Sequence, residues 1–139
     1  MPTPGIKLVR AGWNDDAIIG FSDRGAARWH DSLPPGTRML VYETTSKPKG
    51  STAKGAKAIV GEVEVTGTFE EGEQLRAPGE DHDRLLPVKT VIRRNDANPV
   101  PLERVREIID DPKWPRMGET WKPLTETQYR ELVQLLRGE

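Results

Sequence analysis

Two sets of side chains in this sequence could do chemistry: a few titratable groups, and a series of flat aromatics interspersed with lysines. The titratable set is thin. The chain has only two histidines, His30 beside Trp29 and His82 in the acidic run "EDHDR". Three consecutive loop residues do not turn toward one ion, and no second histidine or any cysteine stands near, so no metal site is expected. Thr44, Thr45 and Ser46 lie in sequence reach of Lys57, a hydroxyl-plus-amine set. A lysine serves as a general base near neutrality only when burial lowers its pKa, and loop lysines stay solvated. The carboxylate pairs Glu62/Glu64 and Glu70/Glu71 read as a wet strand face and a loop. A glycine-rich phosphate motif, a nucleophile elbow and an HExxH helix are all absent. The residues point to a non-catalytic protein without a cofactor.

The aromatics are better suited to binding. Trp13, Trp29, Tyr42, Trp114 and Trp121 are spread along the chain, most of them in or beside irregular segments. Flat rings can sandwich an unstacked or flipped base while nearby lysines meet the phosphates. Trp13 and Trp29 read as either core or pocket. Trp114 and Trp121 read as core residues that pin the C-terminal connection. The stretch Thr44–Lys57 holds Lys47, Lys49, Lys54 and Lys57 and no acid, whereas Phe69–Asp83 holds six acids against Arg76. The two runs flank one expected strand, which would be basic at one end and acidic at the other. Such polarity can orient a polyanion.

The elements that must position these groups follow from periodicity. "GIKLVR" alternates as a first strand, and "AIIGF" is a short apolar run. "SDRGAARWHDSLPPG" reads as a short helix capped by Ser22 or Asp23 and stopped by "PPG". "RMLVYET" and "KAIVGEVEVTGTF" are the clearest strands; in the second, Val63 and Val65 alternate with Glu62, Glu64 and Thr66, so one face is expected buried and the other wet. Gly61 and Gly67 mark bulges or bends of a curling sheet. "RLLPVKTVIRRN" is a further strand, demoted to an edge or bulge at Pro87. "NPVPLERVREIIDD" and "TETQYRELVQLLR" are helices, the second opened by a Thr125–Gln128 capping box.

The whole is 139 residues with 35% hydrophobic and 31% charged residues, enough for one domain with a real core, expected over residues 1–139. Zero cysteines fit a reducing compartment, and no apolar run is long enough for a membrane span, so a cytoplasmic protein with no membrane partner is expected. Net charge is −1, so nucleic-acid affinity would rest on local cations. Strands clustered ahead of two helices favour an α+β domain on a curled mixed sheet or open barrel with flanking helices.

The succession "GTRMLVYETT…KAIVGEVEVTGTFEE" followed by "RMGETWKPLTETQYREL" resembles the EVE type of the PUA-like superfamily, related to YTH, ASCH and SRA-like domains. The resemblance runs over roughly residues 25–137. Where the family has an arginine–asparagine pair before the first helix, this chain has "SDRGAARW". The resemblance implies a small curled barrel that captures a single base, often methylated, in DNA or RNA. It also implies, in bacteria, association with modification-dependent restriction or defence, with a nuclease or helicase as possible partner. Carried over by position, the base-pocket candidates are Trp13, Ser22, Trp29, Tyr42 and Thr44, and the phosphate contacts Lys47, Lys49, Lys54 and Lys57. The alternatives are an ASCH-like nuclease or amidohydrolase using a buried Lys57 with Thr44 and Glu62, or a protein-interaction module.

Overall fold

Alternation of apolar residues builds the centre of the sheet. In a computed structural model that describes residues 2–21, 23–46, 50, 52, 54–71, 84–116 and 119–139, β1 (Gly5–Val9) runs parallel to β3 (Arg38–Glu43). Ile6 lies opposite Leu40, and Lys7 opposite Val41. β4 (Ala58–Val65) pairs antiparallel with β3, and β6 (Arg84–Ile92) with β4. β2 (Ile18–Phe21) closes one edge against β6, and β8 (Trp121–Pro123) closes the other against β1. The order is therefore β2-β6-β4-β3-β1-β8. Short β5 (Glu70–Glu71) and β7 (Val100–Pro101) pair with β6 and β4. The sheet is mixed and curls into a half-barrel, as the α+β expectation required.

The curl has identifiable causes. Val41 pairs with Gly61 but Tyr42 with Ile59, so Val60 is an extra residue, and a second slip separates Glu62 from Val63 along β6. Each extra residue bends its strand and adds twist. Gly61 has a further reason to be glycine: a Cβ there would lie 2.7 Å from the Trp13 ring. Pro87 sits where β6 changes partners, between Leu85 paired to β5 and Val88 paired to β4. Its missing N–H falls in that gap, while its carbonyl accepts from Thr66 N at 2.9 Å.

Each face of the sheet carries its own core. On one, Ile6, Leu40, Tyr42 and Ile59 pack under α2 (Leu102–Ile109) and α3 (Glu126–Leu136), with Trp114 fully buried against Tyr42 at a ring separation of 5.0 Å. On the other, Met39, Val41, Val63 and Val65 pack with Trp13, Phe21, Trp121 and Ala26 of α1 (Asp23–Trp29). α3 starts at the expected capping box, in which Thr125 and Gln128 each satisfy the other's backbone N–H.

Covering both faces corrects one expectation. Glu62 does not lie on a wet face: it is fully buried, and its Oε2 accepts the hydroxyl of Tyr129 from α3. α3 covers the face that alternation assigned to solvent. Glu64, one alternation further along the same face, is only half-buried, between Arg38 at 2.9 Å and Lys89 at 3.2 Å. Among the described residues no helix is long and apolar enough to cross a membrane.

Candidate functional site

The site begins with a glycine that lets a tryptophan lie flat. Gly5 of β1 pairs with Pro123 of β8, and a Cβ on it would stand 2.4 Å from the Lys122 carbonyl oxygen and 2.6 Å from the Trp121 ring. Only glycine permits that approach. The Trp121 indole therefore lies along β1 on the face that also carries Lys7, its register partner. Lys7 is buried at 1% exposure; its Nζ donates to the Leu8 carbonyl at 2.8 Å and sits 4.5 Å from the centre of the Phe21 ring. Burial lowers its pKa from 10.5 to about 7, and no carboxylate raises it again.

α1 follows Phe21 closely and forms the opposing wall. Its seven residues place Arg24 and Arg28 one helical turn apart, with Arg28 over the Trp29 ring at 4.8 Å. Between α1 and β8 a cleft of about 210 Å³ opens, lined by Arg24, Arg28, Trp29, Glu119, Trp121 and Lys122, with backbone from Gly25, Thr120 and Pro123 completing it. Two indoles thus meet three cations and one carboxylate. Such a space accepts a flat ring between aromatic faces and anionic oxygens at its rim.

Trp13 is set by a separate bolt. Glu43, fully buried at the end of β3, accepts from Gly12 N and Trp13 N at 3.1 Å and from Ala56 N at 2.8 Å. Arg94 grips both its oxygens, donates to the Trp13 carbonyl at 2.9 Å, and receives Asp15 on its own backbone N–H at 2.9 Å. Burial pushes the Glu43 carboxyl up, but the guanidinium and these backbone donors outweigh it and hold the group below its usual value.

The residues expected to share a pocket divide among several places. Trp29 lines the cleft. Trp13 is buried in the core on the same face of the sheet, its ring over Gly61. Tyr42 is buried on the opposite face, against Trp114. Neighbouring strand positions point to opposite faces, so Tyr42 cannot join Val41 and Trp29 on theirs. Thr44 lies past the end of β3, where its hydroxyl accepts from Ser46 N at 3.3 Å. Lys54 and Lys57 are exposed, the latter with φ +52°, so the buried amine of the hydrolase alternative is not Lys57. Ser22, Lys47, Lys49 and His82 lie outside the described residues. Arg24, Arg28, Lys122 and Lys7 were not singled out by the sequence. The i, i+4 arginines ending beside Trp29 were the available signal.

No protein-family model and no curated protein matches the sequence. Solved structures do. Human THYN1, in complex with 5-methylcytosine-containing DNA, is similar at TM-score 0.63 and 10% identity, over 96% of this chain and 96% of that one. The YTH domain of Zygosaccharomyces rouxii MRB1, in complex with N6-methyladenosine RNA, is similar at TM-score 0.62 and 10% identity, over 99% and 90%. ASCH from Zymomonas mobilis is similar at TM-score 0.55 and 12% identity, over 96% of each. At these identities the likeness is one of fold. The fold is that of the PUA-like superfamily, shared with YTH, THYN1 and ASCH domains.

Proposed function

We propose that this chain is a single nucleic-acid-binding domain that holds one base, carrying a methyl or related modification, in the cleft between α1 and β8. The observation that carries the reading is the pairing of Trp29 and Trp121 in a cleft with Arg24, Arg28 and Lys122. An unstacked base gains stacking from the two indoles, and the added group gains dispersion contact. The three cations and the exposed Lys54 and Lys57 are available to backbone phosphates. The modified DNA and RNA bound by THYN1 and the YTH domain support the same class of ligand.

Anisotropy titrations with single-stranded oligonucleotides, each carrying one modified base or its parent, test the reading. At least one modified strand should bind tighter than its parent, and Trp29→Ala should lose about 1–3 kcal/mol of binding, the worth of one stacked base. Identical affinities for all strands, unchanged in the variant, would reject it.

A further inference from the structure

Four polar or charged side chains are recorded as buried, and three have an evident purpose. Thr37 donates to the Pro34 carbonyl, Glu43 holds Arg94, and Glu62 accepts from Tyr129. Lys7 is the fourth. Its ammonium has three donors. One goes to the Leu8 carbonyl at 2.8 Å, and another direction is taken up by the Phe21 ring at 4.5 Å. A buried cation without a counter-ion costs folding free energy, so a use for it outside folding is indicated. Its position supplies one. Lys7 stands opposite Trp121 in the β1–β8 ladder, on the same face as the indole that lines the cleft. Its four-carbon stem can exchange the Leu8 carbonyl for another acceptor.

We infer that Lys7 is a specificity residue of the cleft, donating a hydrogen bond to a keto oxygen on the inner edge of the bound base. A base enters with its glycosidic bond toward the mouth, so the far edge points inward. That edge is position 4 of a pyrimidine or position 6 of a purine. An ammonium can only donate, and an exocyclic amine there presents donors of its own. The cleft therefore favours uracil- and hypoxanthine-type edges over their cytosine and adenine counterparts, which differ in that group alone. A site built to hydrogen-bond one partner rejects the analogue lacking it, because its own polar group is left unpaired. The inference rests on the cleft being a base-binding site.

The test compares matched strands: 5-hydroxymethyluracil against 5-hydroxymethylcytosine, and hypoxanthine against adenine, with wild type, Lys7→Met and Trp29→Ala. The keto strand of each pair should bind about tenfold tighter to wild type, the effect of one charged hydrogen bond. Lys7→Met should bind both members equally, and Trp29→Ala should weaken both while keeping their ratio. Binding without a keto preference, or a preference that survives Lys7→Met, overturns the role of Lys7 and leaves the base-binding cleft standing. No binding of any strand overturns both.

Discussion

Tyr129 of α3 donates its hydroxyl to Glu62 of β4, while the other carboxylate oxygen, Oε1, is buried without a hydrogen bond and has only Arg38 near it, at 3.6 Å. Helix and sheet are joined there by one polar contact inside an apolar layer. Removing the donor leaves the acceptor buried and unmet. Tyr129→Phe should therefore destabilise by about 1–3 kcal/mol, read as a lower midpoint in urea.

The same carboxylate makes a pH prediction. Burial raises the Glu62 pKa, opposed by Arg38 and Arg137. A carboxyl raised in the folded state stabilises fully below its unfolded value and loses that contribution as pH climbs through the folded one. Glu62→Gln should thus gain on wild type in urea melts as pH increases from 4.5 toward neutrality. A constant difference across that range would show that Glu62 keeps its ordinary pKa.

These two residues also show where sequence reading stops. The strands β3 and β4 and the capped α3 were legible, because alternation and a Thr-x-x-Gln signature are local. Alternation assigned Glu62 to a face correctly but could not say that a helix some sixty residues later covers that face. Lys7, between Ile6 and Leu8, read as an ordinary outward residue for the same reason. The cleft was hidden more deeply. Its walls, Arg24–Trp29 and Glu119–Pro123, come from opposite ends of the chain and meet because β8 pairs with β1. The separation of Tyr42 from the other aromatics, by contrast, follows from its place next to Val41.

Glu43 and Arg94 give a prediction of opposite sign. The Glu43 carboxyl is held low by its partners, so its contribution is present above pH 4.5 and disappears as pH falls through the depressed value. Arg94→Met leaves the buried carboxylate without its cation and should cost about 3–5 kcal/mol in chemical denaturation near neutral pH. That loss should shrink in acid, since a protonated Glu43 no longer needs the guanidinium.

Lys7→Met should stabilise the fold. With its pKa lowered to about 7 from 10.5, the lysine binds a proton more readily in the unfolded chain. Wild-type stability owed to this group therefore rises as pH goes from 7 to 10.5. The variant's advantage should be a few kcal/mol at pH 7, at about 1.4 kcal/mol per pH unit, and should fade by pH 10.5. Paired melts at pH 7 and 10 check it; an advantage independent of pH would contradict a desolvated amine.

Salt reports on the rim. If Arg24, Arg28 and Lys122 each meet a phosphate, log K for a single strand should fall with log[salt] at a slope near −2, about −0.7 per contact. Arg24→Ala should reduce the magnitude of that slope by about 0.7. An unchanged slope would remove Arg24 from the phosphate path.

The account's central claim is that ligand enters between Trp29 and Trp121. The chain has four tryptophans, so an ¹H–¹⁵N spectrum resolves four indole N–H signals, assignable by single Trp→Phe changes. Titration with a strand bearing a modified base should shift the Trp29 and Trp121 signals together and leave Trp114, sealed under α2 and α3, in place. Binding that leaves Trp29 and Trp121 unmoved would contradict the claim.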